Sequence, residues 1–282
     1  MYKCAVTIDV DLVSDSDDIS NDRSRFQKEL WAIREILMEV PDVKVTAFIR
    51  VDAGVEQKYG NCMWFFKEYE EELRWMRQNG HQLGWHLHSL WPLHNHEESV
   101  LEEIKRFSKY AQQLGIVDTF RIGNSIMSNR VMGFLESVGV RYECSALPRP
   151  HYPWIRDDID WAKTPQECYF PSKNDYRNRG QKRGILEIPM STATIPASYD
   201  SYSDILRYIN PAYKAEVFLR AVEQIQRDFT VIFHPHEMVD CIGTPHELLS
   251  YSAETLKRNL ICLAEKYSCV TICDYAQEYM ED

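Results

Sequence analysis

The sequence predicts an α/β fold with a mostly parallel sheet, either open or closed into a barrel. Short apolar segments rich in β-branched residues alternate along the 282-residue chain with segments of helical periodicity. No linker, low-complexity tract or internal repeat interrupts this alternation. We therefore expect a single domain over residues 1–282.

Eight segments are predicted to be strands because they are short, apolar and rich in β-branched residues. They are residues 3–8, 45–51, 82–88, 119–122, 140–144, 185–190, 229–233 and 269–272. In parallel α/β folds the carboxyl ends of the strands meet on one face, where functional residues gather. Unusual polar residues should therefore follow the ends of these strands.

Helices are predicted between the strands, where apolar residues recur every three or four positions. Such stripes occupy residues 26–37, 101–114 and 131–138. Asn210 followed by Pro211 resembles an N-cap and first helical residue, and predicts a helix that extends through Ile225. Ser252 is predicted to cap a further helix that carries Leu256 and two more leucines.

Composition and charge exclude several classes of function. The chain is 44% hydrophobic and carries a formal net charge of −11, which favours a globular protein and disfavours nucleic-acid partners. No segment approaches the roughly 20 apolar residues that span a bilayer, so no membrane insertion is expected. The N-terminus enters the first predicted strand without the features of a secretory signal. Oligomeric state is left open.

The eight cysteines show no CxxC pair and no zinc-finger spacing. Several lie in apolar segments, where a cysteine behaves as a small buried hydrophobic residue. Free thiols are typical of a reducing compartment, so we expect a cytoplasmic protein.

Two carboxylates follow the first predicted strand, in the sequence TIDVD. Asp9 and Asp11 lie on the same side of an extended chain, and like charges so close together are unfavourable unless a cation is near. This pattern indicates a cation site. The alternative is an ordinary polar loop entrance, since the acidic residues Asp15, Asp17 and Asp18 follow.

The third predicted strand ends in two histidines, His86 and His88, within GHQLGWHLH. Alternate residues of a strand face the same side, so both imidazoles could bind one ion. Zinc and similar metals favour such ligands together with a carboxylate and one open position. His94 and His96 follow and could replace one ligand, although exposed loop histidines are the simpler interpretation.

The fourth and seventh predicted strands each end in a basic side chain. Arg121 would face the carboxylates and could hold one by a two-pronged hydrogen bond, or it could be a surface arginine. His234 follows the apolar residues VIF and precedes Pro235. An imidazole there could donate a proton near neutral pH, or it could be a buried, hydrogen-bonded structural histidine.

In these motifs the sequence resembles the polysaccharide deacetylase, or NodB-homology, family. The resemblance extends in order over nearly the whole chain. Its motifs are TIDVD, VTAFI at residues 45–49, GHQLGWHLH, FRIGN, ILEIP at residues 185–189, and FHPHE. The resemblance implies a distorted (β/α) barrel with about seven strands. It also implies a hydrolase of non-peptide carbon–nitrogen bonds that removes an N-acyl group, first of all N-acetyl, from a sugar-containing substrate.

The resemblance also implies roles for individual residues. Asp9 would be the general base, Arg121 its orienting partner, and His234 the general acid that protonates the departing amine. Asp11 and His86 would bind one divalent metal ion, with zinc as the first expectation. The family commonly places the next ligand four residues after the first histidine, but that position is Leu90 here. We therefore expect His88 to be the third ligand.

Residues 147–184 form a long stretch rich in proline, arginine and aromatic residues. Structureless segments longer than about 15 residues are usually functional or disordered. We interpret this one as an irregular insertion near the site that binds substrate, with a packed cover over the barrel as the alternative. Candidate substrate-binding residues are Trp161 and Tyr169 in this stretch, with Trp85 and Trp91 near the histidine motif.

Three other functions compete with deacetylation. A cyclic imide or amide hydrolase could use the same fold and site. Amidohydrolase and phosphoesterase barrels also use an HxH pair, but generally on the first strand, which here carries carboxylates. A non-catalytic carbohydrate-binding member of the family would not need a base and an acid, so the presence of Asp9, Arg121 and His234 together argues against it.

Overall fold

The computed structural model describes residues 1–11, 19–89, 96–150, 160–202, 204–238 and 246–281, without the side chains of residues 19–22 and 96. The chain divides into two compact units. The first comprises residues 1–47, 71–82 and 191–275, and the second comprises residues 48–70, 83–190 and 276–282. The expected single domain stays a prediction.

Every segment predicted as a strand overlaps one. The strands are β1 (Lys3–Val10), β2 (Thr46–Arg50), β3 (Gln82–Leu87), β4 (Thr119–Ile122), β5 (Tyr142–Glu143), β6 (Leu186–Glu187), β7 (Thr192–Thr194), β8 (Leu206–Tyr208), β9 (Phe229–Phe233) and β10 (Ser268–Val270). Only β7 and β8 were not expected. They are three residues each, too short for a clear apolar pattern.

The main sheet has the strand order β10-β1-β2-β3-β4-β5-β6, and β9 pairs with β1. The ladders of β1 with β9 and β10, and of β4 with β3 and β5, are parallel, as is the β5–β6 ladder. The fold is a distorted (β/α) barrel, as the sequence predicts. Chemistry in such a fold belongs at the carboxyl ends of its strands.

Strand β1 is buried along nearly its whole length. It pairs with β9 from Cys4 opposite Phe229 to Ile8 opposite Phe233. Strands covered on both faces are continuously apolar rather than alternating, which explains the sequence CAVTI. The strand ends at Val10, so Asp11 immediately follows its carboxyl end.

The described helices are α1 (Ile19–Glu39), α2 (Ala53–Tyr59), α3 (Trp64–Glu68), α4 (Glu70–Gln78), α5 (His96–Gln113), α6 (Asn129–Ser137), α7 (Ala215–Val222), α8 (Ala253–Lys266) and α9 (Ile272–Glu281). The predicted apolar stripes are largely buried, as Phe26 and Leu30 of α1 illustrate. Ser252 caps α8 as predicted, because its hydroxyl accepts the Thr255 N–H at 3.2 Å. None of the described helices is long and apolar enough to cross a membrane.

The predicted helix from Asn210 to Ile225 is wrong at both ends. Helix α7 begins at Ala215 and ends at Val222. The Asn210 side chain instead closes a local turn, accepting the Ala212 N–H at 2.8 Å. Asparagine competes for backbone partners in this way, which is why it occurs in turns as often as at helix starts.

Strands β7 and β8 form a separate antiparallel pair, with Thr192 opposite Tyr208 and Thr194 opposite Leu206. Residue Ile209, just after β8, accepts a hydrogen bond from the Ile232 N–H of β9 at 3.0 Å. This contact brings the end of β8 alongside β9. Asn210, the next residue, thus lies beside the carboxyl end of β9.

Candidate active site

Two acidic residues mark the carboxyl end of β1, and they differ in exposure. Asp9, within the strand, is 4% exposed. Asp11, just beyond it, has a side chain that is 15% exposed, and its Oδ2 lies 3.7 Å from Nε2 of His234. The structure therefore places Asp9, Asp11 and His234 in one region of the first compact unit, as the sequence predicts for strand ends.

His234 directly follows β9 and precedes a short 3-10 turn, Pro235–Met238. Its backbone N–H donates to Oε2 of Glu237 at 2.8 Å, and its Nδ1 lies 3.5 Å from Oε1 of the same carboxylate. The imidazole thus has a carboxylate on each side, Glu237 at Nδ1 and Asp11 at Nε2. Such a pairing fixes both the orientation and the tautomer of a histidine.

These carboxylates set the proton affinity of His234. Burial alone would lower its pKa, but the negative charges of Glu237, Asp9 and Asp11 outweigh burial and raise the pKa to about 9. Burial likewise opposes ionisation of Glu237, yet His234 and the hydrogen bonds around it lower the pKa of that carboxyl. Both shifts favour the charged forms of His234 and Glu237. A cation held by Asp11 would offset part of the negative charge and lower the pKa of His234 again.

Glu237 has a further partner that the sequence analysis missed. Asn210 donates from Nδ2 to Oε2 of Glu237 at 2.9 Å, and both side chains are almost completely buried. Glu237 itself was part of the motif FHPHE but was assigned no role. Its spacing of three residues from His234, across a proline turn, could have indicated the pairing. Asn210 could not be found from sequence, because it is 27 residues away.

His86 and His88 lie close together at the end of β3. Their Nε2 atoms are 3.0 Å apart, and the rings meet edge to face with centroids separated by 4.7 Å. His86 is buried in the strand, and His88 is partly exposed just beyond it. The two Nε2 atoms are therefore close enough to bind one ion.

The tautomer of His86 follows from its other nitrogen. Nδ1 lies 2.9 Å from the backbone carbonyl oxygen of Arg121. Because a carbonyl oxygen can only accept, Nδ1 must carry the proton, and Nε2 presents its lone pair. Histidines that bind metals usually donate their second N–H to a carbonyl or carboxylate in this manner. The protonation pattern of His86 therefore suits a metal ligand.

Asp11, His86 and His88 together form a group of metal-ligand type. Their ligand atoms, one carboxylate oxygen and two imidazole nitrogens, all lie within 4.8 Å of one another. Two imidazoles and one carboxylate are a common ligand set for catalytic zinc, with the remaining position left for water or substrate. The donor set fits a divalent ion.

Arg121 is 2% exposed, on β4. Its Nε donates to the Cys144 carbonyl oxygen at 2.9 Å, and its guanidinium lies over the Phe48 ring, 4.3 Å from the centroid. The alternative of a surface arginine is therefore wrong. Its predicted role as the partner of Asp9 stays a prediction.

The predicted substrate-binding aromatics have other environments. Trp85 and Trp161 have no exposed surface, and Tyr169 is 2% exposed. The indole N–H of Trp85 donates to the Val51 carbonyl oxygen and that of Trp161 to the Ser125 carbonyl oxygen, at 2.9 and 2.8 Å.

These three side chains pack in the interior, and the burial of Trp161 and Tyr169 favours the alternative of a packed cover for the 147–184 stretch. A role of the three in binding substrate stays a prediction. The residues described in the 147–184 stretch contain no helix or strand, as expected of an irregular insertion. Trp91 and His94 lie outside the described residues, as does the side chain of His96.

No protein-family model matches the sequence, and no curated protein matches it. Solved structures share the fold. A 4-alpha-glucanotransferase from Thermococcus litoralis is 12% identical with a TM-score of 0.56, covering 98% of this chain and 40% of that one. A GH57-type branching enzyme from Pyrococcus horikoshii is 8% identical with a TM-score of 0.52, covering 99% and 70%. A peptidoglycan N-acetylglucosamine deacetylase is 13% identical with a TM-score of 0.50, covering 98% and 88%.

At these identities the likeness is one of fold alone. One of these three structures is a deacetylase. The chain spans only 40% of the length of the glucanotransferase. The fold is therefore shared by a glucanotransferase, a branching enzyme and a deacetylase, and the choice between these activities depends on the residues of the site.

Proposed function

We propose that the protein is a metal-dependent hydrolase that removes an N-acyl group, first of all N-acetyl, from a sugar-containing substrate. The observation that carries the proposal is the group formed by Asp11, His86 and His88, whose ligand atoms lie within 4.8 Å of one another. Asp9 is the candidate base and His234 the candidate acid. Both lie toward the carboxyl ends of strands, as the proposed ligands do. We further propose zinc as the ion.

The metal would be held by Asp11, His86 and His88. A divalent ion in such a site supplies Lewis acidity, which polarises a carbonyl and makes water a better nucleophile near neutral pH. Asp9 is the candidate base, because it is two residues from Asp11 on the same side of β1 and is almost fully buried. A carboxylate at Asp9 would accept the proton that the attacking water releases.

His234 is the candidate acid. The departing amine is a poor leaving group unless a proton reaches its nitrogen during cleavage. His234 carries that proton on Nε2, the nitrogen nearest Asp11, while Glu237 lies at Nδ1. Glu237 would hold the imidazole in this orientation and stabilise its charged form, and Asn210 would hold Glu237.

Glucan cleavage or transfer is the function that other neighbours of this fold suggest. Glycosidases generally place two carboxyl groups about 5 Å or more apart on either side of an accessible sugar bond. The two glutamates at the ends of β5 and β6, Glu143 and Glu187, are opposite each other in the ladder and fully buried. Neither carboxyl group is therefore accessible to a sugar. The two imidazoles beside Asp11 also have no role in that mechanism, so the site favours the hydrolase.

Cyclic imide or amide hydrolysis would use the same residues and stays the alternative substrate class. The cytoplasm stays the proposed compartment. Free thiols are typical of reducing surroundings, and the cysteines that the structure describes are free.

The function is tested with the purified full chain, stripped of metal and reloaded with zinc. We expect acetate and a free amine to be released in equal amounts from N-acetylated chitooligosaccharides, only with metal present. His86→Ala is the matched control and should lose both bound zinc and activity. A cyclic imide and a linear α-glucan serve as competing substrates. The proposal would be refuted if the metal-free protein cleaved the glucan and neither of the other substrates.

The metal site is tested separately by anomalous scattering from crystals soaked in zinc. We expect one peak among Asp11, His86 and His88. The absence of a peak, with the three side chains directed apart, would refute the site. If the ion is bound by His94 or His96 in place of His88, the proposed function stands and only the third ligand changes.

A further inference from the structure

His88 is the ligand for which the sequence offers the least support, and the structure shows how its position is set. The residue lies just past the end of β3, which stops at Leu87. A side chain beyond the last ladder position needs other contacts to keep one orientation. Two residues distant in sequence, Asp52 and Gly123, supply contacts to its backbone and to its ring.

Asp52 binds the backbone of His88. Its Oδ2 accepts the His88 N–H at 3.1 Å, and the carboxylate has no exposed surface. The same carboxylate receives Arg50 through Nε at 2.7 Å and Nη2 at 3.0 Å, and accepts the Val55 N–H at 2.9 Å as the N-cap of α2. Four donors therefore converge on one buried carboxylate. It joins the end of β2, the start of α2 and the end of β3.

Gly123 lies against the ring of His88. A methyl group at this glycine would lie 2.2 Å from Nε2, 2.3 Å from Cε1 and 2.4 Å from Cδ2 of the imidazole. The ring thus rests directly on the backbone of the turn after β4, and only a hydrogen atom fits between them. Any side chain at position 123 would displace Nε2, the nitrogen that meets His86.

We propose that Asp52 and Gly123 are positioning residues for His88, which fix its Nε2 as a metal ligand beside His86. The inference rests on the proposed function, because it assigns His88 to the metal. Asp52 fixes the backbone from which the side chain projects, and Gly123 fixes the plane of the ring. Together they allow a histidine two residues after the first ligand to reach the ion.

The first test is Asp52→Asn, which keeps the shape of the side chain. The asparagine amide has one acceptor oxygen, whereas the carboxylate has two. Its NH2 group would therefore face two of the four donors, either those of Arg50 and His88 or those of Arg50 and Val55, and would repel them. We expect zinc affinity, measured against a chromophoric chelator, to fall about 10-fold or more, the usual scale for partners of metal ligands. Ser128→Ala, which removes the N-cap of α6 elsewhere, controls for the loss of a helix cap.

The second test is Gly123→Ala, which moves the ring without removing a charge. We expect zinc affinity to fall by about 10- to 100-fold, and the visible absorption of the cobalt-substituted protein to change as one imidazole leaves. Gly133→Ala is the matched control, because a methyl group there meets nothing within 4 Å. It should leave affinity and spectrum unchanged. Thermal unfolding of the metal-free variants shows whether each is folded.

The outcomes separate two failures. Zinc affinity and cobalt spectrum equal to wild type in both folded variants, Asp52→Asn and Gly123→Ala, would overturn the positioning role while leaving the proposed function intact. Wild-type protein that binds neither zinc nor cobalt would overturn the proposed function, and the positioning role with it. Reduced affinity in both variants, with Ser128→Ala and Gly133→Ala unaffected, would support the inference.

Discussion

Asp9 and Asp11 are only two residues apart, but their surroundings suit them to different roles. Asp9 is 4% exposed within β1, whereas the side chain of Asp11 is 15% exposed beyond it and lies next to His234. We predict that Asp9→Asn keeps the zinc content near that of wild type and lowers the rate roughly 100-fold or more, the usual scale for loss of a general base. Metal analysis and steady-state kinetics on the same preparation measure both effects.

The matched variant for this prediction is Asp11→Asn. It should lose zinc, because a ligand is weakened, and lose activity in proportion. Should Asp9→Asn lose metal and keep its turnover per bound ion, the roles of the two aspartates would be reversed.

His234 is expected to matter in proportion to the basicity of the leaving group. An amine departs poorly without a proton, whereas an activated phenolate departs unaided, so only the amide needs the acid. We predict that His234→Ala slows amide cleavage far more than cleavage of an activated ester with the same acyl group. Glu237→Gln should show the same trend more weakly, because the imidazole remains but loses the carboxylate at Nδ1.

Folding is the control for both variants, His234→Ala and Glu237→Gln, and their thermal unfolding should remain close to that of wild type. Equal losses on the amide and the ester, in folded protein, would mean that His234 binds substrate or stabilises charge and does not donate a proton.

Glu143 and Glu187 form a second carboxyl pair, at the ends of β5 and β6, where they are opposite each other in the ladder. Both are fully buried. Glu143 accepts hydrogen bonds from the backbone and the hydroxyl of Ser145, and Glu187 accepts the Ala146 N–H. Burial and the adjacent Glu143 raise the pKa of Glu187 well above its usual range, with a smaller contribution from Cys168.

This shift favours the protonated form of Glu187 in the folded protein, whereas its pKa is near 4.3 in the unfolded chain. Folding takes up a proton, so the contribution of this group to stability is complete below that pH and declines as pH rises toward the folded pKa. The largest slope is about 1.4 kcal/mol per pH unit. We predict that Glu187→Gln, which keeps the neutral form, gains stability relative to wild type between pH 5 and 8. A constant difference in urea unfolding over this range would contradict the protonated state.

At the scale of elements, the 160–184 segment is held by its aromatic side chains. Trp161 is fully buried, donates its indole N–H to the Ser125 carbonyl oxygen, and meets the Tyr176 ring edge to face at 4.9 Å. Tyr169 donates its hydroxyl to the Tyr176 carbonyl oxygen at 2.9 Å. These contacts order a stretch without regular secondary structure.

We predict that Trp161→Ala lowers the free energy of unfolding by roughly 3–5 kcal/mol, the usual cost of truncating a buried tryptophan. The KM for the N-acetylated substrate should change little in the protein that remains folded. Chemical denaturation and kinetics at low temperature measure the two effects, and Tyr199→Ala, at a residue that is 59% exposed, is the control. A raised KM with unchanged stability would restore the substrate-binding interpretation.

At the scale of the whole molecule, a bound ion should stabilise the folded chain. A ligand that binds only the folded state raises the free energy of unfolding by about 2.7 kcal/mol when its free concentration is 100 times Kd. We predict that the melting temperature of the metal-free protein rises with zinc concentration and falls again with a chelator. His86→Ala should remove the dependence. A melting temperature independent of zinc in wild type would mean that the site does not bind it.

Much of the fold could be predicted from sequence, because strands and helices have local patterns. Predicted and observed bounds agree for β4 and β9. Strands β5 and β6 were predicted longer than the two residues each that they contain, whereas β1 continues two residues beyond its predicted end. The helix expected at Asn210 failed because the same residue type serves turns and helix starts alike.

The sequence alone determined the order of the eight strands of the main sheet along the chain, the strand ends that carry polar residues, and the candidates Asp9, Asp11, His86, His88 and His234. Each of these follows from a motif of a few neighbouring residues. Only the tertiary structure decided which side chains support them. Asp52 reaches His88 across 36 residues, and Asn210 reaches Glu237 across 27. No local pattern encodes such pairs, because they exist only after folding has brought the ends of separate strands together. For the same reason, the aromatic composition of residues 147–184 could not show whether this stretch binds substrate or packs over the barrel, as the burial of Trp161 favours.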